Sequence, residues 1–329
     1  MEPRILYVNS PFDNREAVAE LAPAGFELIQ ARAGTPEYRE ALGEASYLVG
    51  FVDGLVEAEL YRDAPKLKLI QLLSAGYDRA DIAAARQAGV PLANNGGANA
   101  VAVAEHAMLL MLAVCRRLPL QHANVGSGRW RGNEPPRVHE LKGRTLGIVG
   151  LGTIGKKTAR LAGAFGMNVH YYDVARLTED AEDALGVRFR LLGEVLRTSD
   201  IVSLHVPLNP TTRHLIGARE IALLKPTAVL VNTSRGPVVD EAALTEALAA
   251  GRIAGAGLDV FDQEPPEADN PLFSLDNVVL TAHLAGPTVE SGPARLRNAF
   301  DNVERVQRGE PALWVIPEIE EPPANAAPA

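Results

Sequence analysis

The sequence predicts an α/β protein made of two doubly wound parallel-sheet domains, the larger inserted into the smaller. Three observations carry this. Short apolar runs alternate with Ala-rich helical stretches along most of the chain; the pattern breaks at residues 94–99 (Asn-Asn-Gly-Gly-Ala-Asn) and restarts with stronger strands near Thr145; and one last helix follows Gly286 and Pro287.

In the first hundred residues the apolar runs at 5–8, 26–29, 47–52, 69–72 and 91–93 are strand candidates, each followed by a loop or a helix. A long apolar helix begins near Val101. Beyond it, six strands are expected at 146–149, 168–172, 201–204, 228–231, 257–260 and 278–281. The last helix, about 293–308, is too little for a domain and is expected to pack back on the first one. The domains are therefore residues 1–100 with 288–316, and residues 101–287. Two crossings between them make a hinge, and the cleft between the lobes is the expected ligand site. Residues 317–329, rich in Pro, Ala and Glu, read as a disordered tail.

Composition narrows the function. The 329 residues carry 32 Lys and Arg against 41 Asp and Glu, a net charge of −9, with no basic run to neutralise phosphates or anionic lipid. Neither a nucleic acid nor a membrane surface is an expected partner. A single cysteine, Cys115, excludes an intramolecular disulfide and every paired-Cys zinc spacing, so no metal is expected and Cys115 reads as core filling. The longest apolar run, 107–115, is far short of the ~20 residues of a membrane span. With no secretory h-region at the N-terminus, the expected location is the cytoplasm.

The run Leu146, Gly147, Ile148, Val149 leads directly into Gly150-Leu151-Gly152-Thr153-Ile154-Gly155, and a helix follows. This is G-x-G-x-x-G in the strand-turn-helix setting of a dinucleotide site, which makes the second domain Rossmann-like. Gly150 allows the tight turn, Gly152 lets a pyrophosphate approach the backbone, and Gly155 lets helix and strand pack closely. A second strand ends at Asp173, eighteen residues beyond Gly155, where a carboxylate can bond a ribose 2′-hydroxyl and repel a 2′-phosphate. NAD is expected over NADP, with Arg176 softening the preference.

Chemistry in such folds gathers beyond the C-terminal strand ends. Three ionisable residues follow successive strands there: Arg235, Glu264 and His283. A guanidinium binds a carboxylate through two parallel bonds. An imidazole beside a carboxylate is favoured in its protonated form, which a general acid needs to protonate a carbonyl oxygen as hydride arrives. His205, also at a strand end, reads as a cofactor contact, and His106 as a residue of an apolar helix.

At these residues the sequence resembles the D-isomer-specific 2-hydroxyacid dehydrogenase family over nearly its whole length. The likeness rests on Ser74-Ala75-Gly76-Tyr77-Asp78, Val103-Ala104-Glu105-His106, the glycine loop, Leu204 to Pro207, Asn232-Thr233-Ser234-Arg235-Gly236, Asp259-Val260-Phe261 and Glu264-Pro265. It implies a cofactor domain inserted into a smaller flavodoxin-like substrate domain. It also implies catalytic roles for Arg235, Glu264 and His283, and substrate binding by Ser74, Ala75, Gly76 and Asn99 with Arg235 and His283. Cofactor contacts are implied at Val103, Gly150, Gly152, Thr153, Ile154, Gly155, Asp173, His205, Val206, Pro207, Thr212, Thr233, Ser234, Arg235, Asp259, His283, Ala285 and Gly286, with Asp259 holding the nicotinamide carboxamide. A homodimer formed largely through the cofactor domain is implied as well. Ala282 stands where a Pro commonly precedes the histidine, and Glu264 in place of Gln argues against the formate dehydrogenase branch.

The expected activity is NADH-linked interconversion of a small 2-oxo acid and its (R)-2-hydroxy acid, as in glyoxylate/hydroxypyruvate reductases. D-3-phosphoglycerate dehydrogenase is the alternative within the family. From another class, an NAD(H)-sensing interaction protein of the co-repressor kind shares the fold but lacks a use for the full Arg, Glu and His set.

Overall fold

A computed structural model of the chain describes residues 2–11, 14–131 and 137–320. Its contacts divide it into two compact units, Met1–Asn99 with Thr288–Ala329, and Ala100–Pro287.

The first unit holds a parallel sheet of β1 (Arg4–Val8), β2 (Glu27–Ala31), β3 (Tyr47–Gly50), β4 (Leu69–Leu72) and β5 (Leu92–Ala93), in the order β2-β1-β3-β4-β5. Strand β3 ends before the expected residue 52, because Val52 leaves the extended region (ψ 10°) to open a short 3-10 turn, Asp53–Leu55. On one face, helix Ser291–Gln307 buries Leu296, Ala299, Phe300 and Val303 against Ile5, Tyr7, Tyr47, Val49 and Leu69. Its hydrophobic residues recur at helical spacing, so one face is apolar and the other solvated. The chain then returns along β5, where Ala93 bridges Val315 and the Ile316 N–H donates to the Leu92 carbonyl. The tail expected from Pro317 starts instead with a helical turn, Pro317–Glu320, in which Ile319 packs on the core around Leu92 and Ile316. One apolar side chain in a polar, Pro-rich segment suffices to anchor that turn. The rest of the expected tail lies outside the described residues.

The second unit holds β6 (Thr145–Val149), β7 (Asn168–Tyr172), β8 (Val187–Phe189), β9 (Ile201–Leu204), β10 (Val229–Asn232), β11 (Gly255–Leu258) and β12 (Val278–Leu280), all parallel, in the order β12-β11-β10-β9-β6-β7-β8. The central strands are buried along their length and therefore read as continuous apolar runs. Strand β8 adds a seventh to the six expected; Val-Arg-Phe is too short to show a period. Helix Ala100–Cys115, apolar almost all round, packs against β10 and β11, and the free Cys115 is buried within it. The order reverses between β6 and β9, and at that switch point the crevice beyond the strand ends is the natural ligand position. No helix among the described residues is long and apolar enough to cross a membrane.

Candidate active site

The turn after β6 is built by its glycines. Gly150 has φ +93°, and a Cβ there would lie 2.7 Å from the His205 carbonyl oxygen. At Gly155, in the first turn of helix Thr153–Ala164, a Cβ would run into the Gly150 carbonyl. Gly152 differs: as the residue capping that helix it brings no side chain, and a Cβ would meet nothing within 4 Å. Open space thus lies over exposed helix N–H groups at Gly152 and Thr153, with Ile154 half-buried beside them.

Asp173, just past β7, reaches back to this turn. Its Oδ2 accepts the Leu151 N–H at 2.6 Å and its Oδ1 the Ala175 N–H at 3.0 Å, leaving lone pairs on both oxygens for hydroxyl donors. Arg176 is engaged elsewhere. Its Nε donates to Glu182 Oε1 at 3.0 Å, and its guanidinium lies 5.3 Å from the centre of the Phe189 ring.

Across the switch point, Nε2 of His205 pairs with Ser203 Oγ at 2.9 Å, whereas its Nδ1 is buried without a hydrogen-bond partner among the described residues. Although part of the residue stays at the surface, burial pushes its pKa down to about 4, so the ring is neutral. Val206 and Pro207 open the loop that Thr212 shapes: its Oγ1 donates to the Pro207 carbonyl at 2.6 Å and accepts the Asn209 N–H at 2.9 Å. After β10, Ser234 Oγ donates to Asn232 Oδ1 at 2.7 Å, and Thr233 Oγ1 is buried with no partner among the described residues. Val103 is buried on helix Ala100–Cys115. Open space at Gly152 together with orphaned polar atoms at His205 and Thr233 fits a dinucleotide.

Beyond β11 and β12 the structure brings Glu264 and His283 together. His283 Nδ1 lies 2.6 Å from Glu264 Oε2, and both side chains keep part of their surface open. Burial is the largest influence on Glu264 and works to raise its pKa. The bond and charge of His283, the Phe261 N–H at 3.1 Å and the charge of Arg235 outweigh it and hold the carboxyl below its usual range. Arg235 is half-buried at the end of β10, its Nη1 donating to the Ser234 carbonyl at 2.8 Å, while Asn232 Nδ2 fixes its own carbonyl at 2.9 Å. A cation able to take a carboxylate and an imidazole held by a carboxylate thus share one end of the sheet.

His283 stands in the left-handed region, φ 53°, on a loop tied down by Asp259. Asp259 is fully buried. Its Oδ1 accepts from Thr281 Oγ1 at 2.6 Å and the Leu284 N–H at 3.0 Å, its Oδ2 from the Ala285 N–H at 2.9 Å, and its own carbonyl takes the His283 N–H at 2.8 Å. Nε2 of His106 sits 2.9 Å from Thr281 Oγ1 and 3.5 Å from Asp259 Oδ1. Ala285 and Gly286 are buried at the end of the loop. The resemblance gives Asp259 to the cofactor; the structure adds a positioning role that sequence reasoning missed, together with His106 and Thr281. The one signal was the Val103-Ala104-Glu105-His106 motif, in which the histidine passed as helix filling.

In the first unit, Ser74 Oγ donates to the Gly76 carbonyl at 2.7 Å, and the Ser74 carbonyl accepts the Asn95 N–H at 3.0 Å. Among the described residues the N–H groups of Ala75 and Gly76 enter no hydrogen bond, which leaves two adjacent donors for an anion. Asn99 is buried, its Oδ1 accepting from Asn95 Nδ2 at 3.1 Å.

Known proteins resemble this chain over most of its length. The family model described as the NAD binding domain of D-isomer specific 2-hydroxyacid dehydrogenase matches residues 108–285. Glyoxylate reductase of Korarchaeum cryptofilum is 42% identical over 274 residues, 82% of either chain. D-3-phosphoglycerate dehydrogenase of Methanocaldococcus jannaschii is 38% identical over 92% of this chain, which spans 57% of that protein's length. Among solved structures, the NADPH-dependent glyoxylate/hydroxypyruvate reductase of Sinorhizobium meliloti, in complex with NADP, superposes with a TM-score of 0.82 at 31% identity, covering 97% of this chain and 98% of its own. With a dinucleotide turn, a paired glutamate and histidine, and relatives alike over most of their length, the chain belongs to the D-isomer-specific 2-hydroxyacid dehydrogenases, oxidoreductases that use a nicotinamide cofactor.

Proposed function

We propose that the protein reduces glyoxylate or hydroxypyruvate to the (R)-2-hydroxy acid with NADH, as a cytoplasmic homodimer. The observation that carries the chemistry is the 2.6 Å contact between His283 Nδ1 and Glu264 Oε2, with Arg235 close enough to act on Glu264 by its charge. The nicotinamide supplies the hydride. Arg235 binds the substrate carboxylate and draws charge from the carbonyl; His283 gives its proton to the carbonyl oxygen as the hydride reaches the adjacent carbon; Glu264, ionised, stabilises the imidazolium until transfer. Ser74, Ala75, Gly76 and Asn99 are proposed as substrate residues, supported by the two uncommitted N–H groups.

The reading of NAD over NADP is supported by Asp173, whose carboxylate would repel a 2′-phosphate, and by Arg176, which Glu182 and Phe189 engage. The dimer reading is supported by exposed Val101, Leu109, Leu118 and Val125 on the helices that open the second unit. The test is NADH oxidation with glyoxylate, hydroxypyruvate, pyruvate and 3-phosphohydroxypyruvate, with NADPH in parallel. Turnover of the first two, with NADH preferred, is expected; NADH binding without turnover of any acid would overturn the reading and favour a nucleotide sensor.

A further inference from the structure

Helix Ser291–Gln307 turns three polar side chains, Arg295, Asn298 and Asn302, along one stripe toward the sheet of the first unit. Two are well partnered. Asn302 Nδ2 donates to Gln71 Oε1 at 2.7 Å and to the Leu313 carbonyl at 3.0 Å, and its Oδ1 accepts the Leu313 N–H at 2.7 Å. Asn298 Nδ2 donates to the Asn95 carbonyl at 2.9 Å. From Asn302 to Arg295 the stripe climbs from the middle of β4 to the C-terminal end of the sheet, where ligands of such folds bind.

Arg295 is the exception. It is 8% exposed, its guanidinium carbon lies 5.7 Å from the centre of the Phe51 ring, and its Nε is buried with no hydrogen-bond partner among the described residues. Burial pushes its pKa down, as expected of a cation without a counter-charge. A guanidinium against an aromatic ring with its Nε buried and unused is a costly arrangement for structure alone. An oxyanion would offset that cost.

Its neighbours point to which one. Phe51 directly follows β3, whose Gly50 pairs with Leu72 of β4 and accepts the Leu73 N–H at 2.9 Å; the next residues of β4's exit are the Ser74–Gly76 turn. Asn95, held by Asn298, donates its N–H to Ser74. Arg295 and the turn with the two uncommitted N–H groups thus occupy the same end of one sheet.

We propose that Arg295 is a specificity-determining residue that binds a second oxyanion, a carboxylate or a phosphate ester, on the substrate carbons distal to the 2-oxo acid. This rests on the reading of Ser74, Ala75 and Gly76 as residues that bind the substrate's own carboxylate. The protein then accepts anion-bearing 2-oxo acids besides glyoxylate and hydroxypyruvate, neither of which has a second oxyanion to offer Arg295.

The experiment compares kcat/KM with NADH for glyoxylate, hydroxypyruvate, oxaloacetate and 3-phosphohydroxypyruvate in the wild type, Arg295→Met and Arg295→Lys. Arg295→Met is expected to lose at least about tenfold on whichever anion-bearing acid the wild type prefers, mainly through KM, with glyoxylate changed less than about threefold and partial recovery in Arg295→Lys. Oxaloacetate and 3-phosphohydroxypyruvate tell carboxylate from phosphate. An equal loss on all four acids, or a lowered melting temperature with the substrate ranking intact, would overturn the proposal. Titration calorimetry with succinate and butyrate reads the subsite without turnover: tighter succinate binding that disappears in Arg295→Met supports it even if no 2-oxo acid is reduced, and equal affinities contradict it.

Discussion

Two loops at the same end of the second unit's sheet are held in opposite ways. The glycine turn after β6 takes its shape from what is missing: at Gly150 and Gly155 a Cβ would collide with backbone, and Gly152 leaves open space. The loop after β12 takes its shape from a buried carboxylate on the neighbouring strand's exit, Asp259, which accepts bonds from Thr281, Leu284 and Ala285. A turn that must admit a ligand's backbone-hugging phosphates is made by removing atoms, whereas a loop that must aim one imidazole is made by tethering it. The first device is local in sequence and the second is not.

The comparison breaks most visibly at the tether. Asp259→Asn puts an amide N–H against a backbone N–H, so the loop shifts; kcat is expected to fall roughly 100-fold, the scale of a 1 Å misplacement, with a lower unfolding temperature. Unchanged kcat would mean that His283 is aimed by something else. The glycine turn answers differently. Gly152→Ala should melt like the wild type, since its Cβ meets nothing, yet weaken NADH by about tenfold in calorimetry if the cofactor phosphates take that space as proposed. A loss of stability with normal NADH affinity would reverse the assignment.

Two further effects test the cofactor side of the site. His205 binds its proton at about 4 in the native state against 6.5 as its ordinary value, so the unfolded chain takes up the proton first as pH falls. Stability is thus full above about pH 6.5 and declines toward pH 4, by about 2 kcal/mol after allowing for the partial exposure of the residue. Urea unfolding of His205→Gln should lack that part of the slope; an identical slope would show that other groups carry it. Asp173→Ala should narrow the NADH preference over NADPH by roughly tenfold, one charged hydrogen bond, while an unchanged ratio would count against its ribose role.

What could be read from the sequence follows the same division. The glycine turn, Asp173 and the strand-end positions of Arg235, Glu264 and His283 were legible because each lies within a few residues of an apolar run that names its strand. Asp259 was legible only as part of a motif; its tether spans more than twenty residues and depends on β11 and β12 lying side by side, which no local pattern states. His106 passed as helix filling because its partner Thr281 is remote. Strand β8 was too short to show a period, and Ile319 too isolated to outweigh the polar residues around it. Arg295 was the least visible: an arginine on an amphipathic helix reads as a solvated charge, and only the fold turns it inward against Phe51.

The central claim, that His283 held by Glu264 protonates the carbonyl as hydride is transferred, is tested most directly by single-turnover mixing. NADH-loaded wild type and His283→Ala would be mixed with hydroxypyruvate, following NADH absorbance, with NADH affinity measured on both. The account predicts equal NADH binding and transfer about 1000-fold slower in the variant. Transfer at the wild-type rate in His283→Ala would contradict it.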